Sequence, residues 1–92
     1  MEYYRNELSI YLISETRIVN LVIANNALKR STEHNIQKDI KKVEIEDELK
    51  VGIHYHGLHN PEYIIVENYD EAVYLRKKLN LLREKNFNYK KN

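Results

Sequence analysis

Ninety-two residues carry 15 Lys and Arg against 14 Asp and Glu, a formal net charge of +1, so no strong overall field draws the chain toward nucleic acid or an anionic membrane. With no cysteine, disulfides, thiolate metal sites and thiol nucleophiles are excluded. A chain this short makes one domain, 1–92, and hides only roughly 60% of its unfolded surface, a size at which a partner subunit adds useful burial.

The opening MEYYRNEL is polar and unlike a signal peptide, and no apolar run approaches the roughly 20 residues that span a bilayer. The expectation is a cytoplasmic protein with no membrane partner, its core over about 8–85 and a short tail at 86–92. Leu8–Ile13 reads as a first strand ending at Ser14-Glu15-Thr16. Arg17–Ala24, RIVNLVIA, is apolar all round a helical wheel. It is rich in β-branched residues and stops at Asn25-Asn26, where Asn tolerates a left-handed turn. It reads as a strand; the alternative is a helix over 15–33. Ala27–Thr32 then returns as a hairpin partner, Glu33-His34-Asn35 is a polar loop, and Ile36–Ile40 is a link of unassigned type.

Lys42–Glu46 alternates, with Val43 and Ile45 inward and Lys42, Glu44 and Glu46 outward. Leu49–His56 alternates too. Leu49, Val51, Ile53 and Tyr55 face the core, and His54 and His56 the other side. Gly57 to Pro61 breaks the pattern. Tyr63–Val66 is apolar on both faces and reads as a strand covered on two sides. From Asn68 to about Lys85 a helix is expected. Asn68 is its N-cap, Glu71 the return half of a capping box, Asp70 and Glu71 sit near the positive end of the dipole, and Ala72, Leu75, Leu79 and Leu82 form its buried stripe.

These elements predict an α+β fold: a curled antiparallel sheet of about six short strands with a C-terminal amphipathic helix packed on it. If 15–33 is helical, the order becomes a β-α-β-β-β-α sandwich. Over Leu8–Lys85 the first order resembles the pleckstrin-homology-like barrel, with hairpins, further strands and a final helix plugging one end. That resemblance implies a module that binds proteins, peptides or phosphoinositide headgroups. The first hairpin has only Lys29 and Arg30, without the dense basic cluster of phosphoinositide binders.

Four groups carry candidate chemistry. His54, His56 and His59, in HYHGLH, offer imidazoles enough for a zinc site with an open position. Glu44, Glu46, Asp47 and Glu48 form an acidic cluster that suits a basic protein partner. Tyr3 and Tyr4 are interface candidates, large in area with a polar tip. Arg76, Lys77 and Arg83 on the C-terminal helix are a candidate phosphate-contacting surface for nucleic acid. No nucleophile elbow, phosphate-binding loop, dinucleotide fingerprint or zincin helix occurs, and nothing in the spacing selects an acid–base pair such as His54 with Glu67. The expected function is therefore non-enzymatic: a protein-interaction module such as an adaptor, a regulatory subunit or a small inhibitor. The skew to Lys, Asn, Ile and Tyr, all with AT-rich codons, is what a viral or mobile-element source would produce. The alternatives are nucleic-acid binding through the C-terminal helix and a small metal-dependent enzyme at the histidines. A small core and open sheet edges favour a homodimer.

Overall fold

The structure, a computed structural model, describes residues 1–85. The expected tail at 86–92 lies outside the described residues. Strands β1 (Glu2–Asn6), β2 (Ser9–Ile13), β3 (Arg17–Ala24) and β4 (Ala27–Asn35) form a four-stranded antiparallel meander. A one-turn helix α1 (Ile36–Asp39) leads into a three-stranded antiparallel sheet of β5 (Ile40–Asp47), β6 (Lys50–Tyr55) and β7 (Glu62–Ile65). Helix α2 (Tyr69–Glu84) packs against β5 and β6.

Residues 17–24 are strand, so the helical alternative for 15–33 does not hold. The reason is local. Asn25 and Asn26 take φ of 52° and 62°, the two left-handed positions of a tight hairpin turn, and Ala24 pairs with Ala27 across it. Four further expectations are corrected. A seventh strand, β1, lies before Leu8. Glu33-His34-Asn35 continues β4 instead of looping. Strand β7 is an edge, with Tyr63 and Ile65 exposed, so it is covered on one side only. Leu49, expected inward, is exposed in the β5–β6 turn.

The core gathers one face from each layer. Tyr11, Ile13 and Ile18 come from the first sheet, Val43, Val51, Ile53, Tyr55 and Ile64 from the second, and Ala72, Leu75, Leu79 and Leu82 from α2; Ile36 and Ile40 fill the junction. Alternation along β6 puts Val51, Ile53 and Tyr55 inside, as its period of two requires.

Capping places α2. The Asn68 side chain accepts from the Glu71 N–H at 2.9 Å, and the Glu71 carboxylate accepts from the Glu67 N–H at 2.9 Å. The reciprocal bond of the capping box thus lands one residue early. At the other end Gln37 of α1 donates to the Leu82 carbonyl at 2.8 Å and joins the two helices.

Side chains tie the two sheets together. The Asn6 amide donates to the Ile65 carbonyl at 3.0 Å and accepts from the Ile65 N–H at 3.3 Å, so one side chain stands in for a strand partner between β1 and β7. Elsewhere, Tyr55 and Thr32 both donate to the Glu62 carboxylate, each at 2.7 Å, while His34 stacks on the Tyr55 ring with centroids 3.8 Å apart.

Strand β1 is also bound to α2. The Glu2 carboxylate accepts from Tyr74 at 2.6 Å and Tyr4 at 3.1 Å and lies 3.0 Å from the Lys78 ammonium. Burial pushes the Glu2 carboxyl up, but the bonds from Tyr74, Lys78 and Tyr4 outweigh it, and its pKa lies below the usual 4.5. A carboxylate depressed by folding adds stability above its unfolded pKa, and this is lost as pH falls through the folded value. Glu2→Gln is therefore expected to lower the thermal midpoint at neutral pH, and the two proteins should converge in acid, below the lowered Glu2 pKa. A midpoint difference that persisted unchanged in acid would show that the carboxylate charge is not what binds β1 to α2.

Candidate interaction face and a Glu–Glu–His cluster

The first sheet has two apolar faces, and the fold covers one of them. Ile13, Tyr11 and Ile18 point into the core, and Ile18 is 0% exposed. The intervening positions point outward. Register aligns them in rows across the four strands: Tyr3, Leu12, Val19 and Glu33 in one, Arg5, Ile10, Leu21 and Arg30 in the next. Ile23 and Leu28 continue the apolar surface toward the hairpin tip. Tyr3 is 68% exposed and Leu28 54%, while Ile10, Leu12, Val19, Leu21 and Ile23 are half-buried by one another. Among the described residues, both helices pack elsewhere and no element lies over this face.

At its margin the Glu33 carboxylate lies 3.0 Å from Arg17 and 2.9 Å from Arg30. Contiguous apolar surface rimmed by charge is the kind of surface on which contact sites are found. The sequence carried a signal for it. RIVNLVIA is apolar at both parities, and a strand of that kind has a second face that needs an occupant.

The outer face of the second sheet holds a different group. Glu44 and Glu46 share one side of β5, and His54 stands beside them on β6, where Glu44 pairs with Gly52 and Lys42 with His54. One ligand atom from each of Glu44, Glu46 and His54 lies within 4.8 Å of the others. His54 Nε2 is 3.1 Å from Glu44 and 3.6 Å from Glu46, yet it lacks an aligned hydrogen bond. Glu46 reaches His54 by crossing Gly52. A Cβ there would stand 3.0 Å from the Glu46 carboxylate and 3.1 Å from the Tyr63 ring. The Lys42 ammonium, 3.3 Å from Glu44, holds the Glu44 carboxyl below its usual range. Two carboxylates and an imidazole are a ligand set of the kind that holds divalent transition metals, and equally a site where cations of the chain itself neutralise two acids, as Lys42 does here.

The structure thus redistributes the expected metal residues. His54 joins Glu44 and Glu46 and does not join His56 or His59, which lie past the end of β6, exposed in the turn and loop. The turn spans His56 and Gly57, the latter with a φ of 81°. It carries those two histidines off the strand before the i, i+2 geometry can operate. The acidic cluster is split as well. Glu44 and Glu46 face His54, while Asp47 and Glu48 are exposed at the β5–β6 turn. The two N-terminal tyrosines part company: Tyr3 lies on the outer face, and Tyr4 packs against the core with burial, first, and Glu2 raising its pKa.

On α2, Lys77 is exposed, Arg76 is half-buried, and Arg83 donates to the Lys41 carbonyl at 2.7 Å and to Asn80 at 3.0 Å. That guanidinium serves the docking of α2 on β5. Among the described residues no helix is long and apolar enough to cross a membrane. No protein-family model matches the chain, and no curated protein or solved structure matches it significantly.

Proposed function

We propose that the chain is a non-enzymatic protein-interaction module whose contact surface is the outer face of the four-stranded sheet. The observation that carries this reading is the alignment of Ile10, Leu12, Val19, Leu21 and Ile23 on a face that no described element covers. Apolar area left in water at this scale gains roughly 25 cal/mol per Å² when a partner covers it. The flanking Tyr3, Arg5 and Arg30 are of the residue types that concentrate binding energy at interfaces.

The test is a pull-down with the full chain that compares the wild type with a Leu12→Lys, Val19→Lys variant of native circular dichroism. Loss of two central apolar side chains is expected to weaken capture about thirtyfold or more. Capture indifferent to both substitutions would place the contact surface elsewhere.

A further inference from the structure

We infer that the occupant of this face is a second copy of the same chain, stacked sheet on sheet about a twofold axis that runs across the strands between the two central rows. The inference rests on the interaction reading above and adds the partner and the register.

The rows themselves argue for it. A twofold contact must be self-complementary, with each residue meeting a different residue that it suits in the other copy. An axis lying in the interface, perpendicular to the strands and midway between the rows, brings the row Tyr3, Leu12, Val19, Glu33 over the row Arg5, Ile10, Leu21, Arg30 of the other copy, strand over strand. Every match between these two rows is then favourable. Tyr3 meets Arg5, a cation over an aromatic ring. Leu12 meets Ile10 and Val19 meets Leu21 at the apolar centre. Glu33 meets Arg30, which extends the in-chain pair at 2.9 Å into a ring of alternating charges. The other in-plane twofold, parallel to the strands, sets Arg5 over Arg30 of the other copy and Tyr3 over Glu33, and so brings two cations together.

Four strands at about 4.8 Å spacing and some six residues along β3 make a face about 20 Å on a side, about 400 Å² in projection, which gives a small interface beside the roughly 800 Å² per partner of a standard one. Two such faces stack about 10 Å apart, as in a β-sandwich.

Edge-to-edge pairing through β4 is the competing arrangement, and the structure disfavours it. Asn20 pairs with Thr32 and Leu21 with Arg30, so Ser31 bulges out of register in the middle of that edge. A bulge is a common protection against strand addition.

The experiment is light scattering and sedimentation equilibrium on the full chain. The wild type is expected to be a dimer at micromolar concentration. Leu12→Asp should raise the dimer Kd about thirtyfold or more with an unchanged circular dichroism spectrum. Because the alignment pairs Arg30 with Glu33, Arg30→Glu and Glu33→Arg should each weaken the dimer severalfold, and the double exchange should recover most of the loss. A wild type that stays monomeric at high micromolar concentration overturns the inference. So does a dimer that survives Leu12→Asp in a folded chain, or an exchange that recovers nothing. Should the wild type be monomeric yet capture another protein through Leu12 and Val19, the interaction reading stands and self-association alone fails.

Discussion

Leu75→Ala is expected to destabilise the chain by about 2–5 kcal/mol, the cost of a large-to-small change that leaves a cavity in a core with little room to collapse. Leu75 is 0% exposed, on the stripe with Ala72, Leu79 and Leu82 that enters the shared core. Few layers share the work here. The helix closes a core to which the first sheet contributes Tyr11, Ile13 and Ile18, and among the described residues the outer face of that sheet has no helix over it. A domain of this kind holds only about 5–15 kcal/mol in total, so this one side chain carries a large fraction of it. Urea unfolding at fixed protein concentration is the measurement. The midpoint should fall with the slope unchanged, as it does when stability alone changes, and concentration must be held because dimer formation raises apparent stability by mass action. Leu81, on the same helix and 56% exposed, is the control; its replacement by alanine should cost within about 0.5 kcal/mol. If the two losses were equal, α2 would not be docked on the stripe that its periodicity and burial assign to it.

Where periodicity or capping speaks for itself, the sequence is a good guide to this fold. Val51, Ile53 and Tyr55 alternate because one face of β6 is buried. Asn68 and the Leu75 stripe mark α2, and Asn25-Asn26 turns the hairpin. Strand β1 escapes because its inward side chains, Glu2, Tyr4 and Asn6, hold it by hydrogen bonds to α2 and β7, and a strand anchored by polar groups shows no hydrophobic period. His34 escapes for a related reason. Its value is the stack on Tyr55, a long-range contact that a local polar run cannot announce.

The Glu44–Glu46–His54 group depends on a cross-strand register, Glu44 beside Gly52 and Lys42 beside His54, whereas spacing along the chain linked His54 to His56 and His59. The candidate contact face was legible as an apparent defect. RIVNLVIA is too apolar for a strand with one buried face, and that excess is the second face itself.

Glu62→Ala is expected to cost about 2–4 kcal/mol, since it strands two hydroxyl donors at once and a buried donor without an acceptor costs about 1–3 kcal/mol. The carboxylate sits on β7 and takes the hydroxyls of Tyr55 on β6 and Thr32 on β4, each at 2.7 Å, so it binds the two sheets at the side away from Asn6. Tyr55 is 2% exposed and has no water to turn to. Its pKa is raised far above the usual 10 by burial first and then by the Glu62 charge, so its phenol remains a donor wherever the fold persists. Glu62→Gln keeps an acceptor oxygen and should cost less, about 1–2 kcal/mol. A double-mutant cycle with Tyr55→Phe isolates the shared bond and should return a coupling of about 1–3 kcal/mol.

The same raised pKa fixes an alkaline signature. In the unfolded chain Tyr55 ionises near its usual value of 10, while in the fold it stays protonated, so its contribution is whole below that pH and is lost as pH rises above it. Burial pushes Tyr11 up as well, to about 12, with Glu62 adding to it, so it contributes with the same sign. Tyr55→Phe should therefore lose less stability between neutral and alkaline pH than the wild type does. Equal alkaline slopes in the two proteins, or a coupling near zero, would mean that the Tyr55–Glu62 bond does not hold the sheets together.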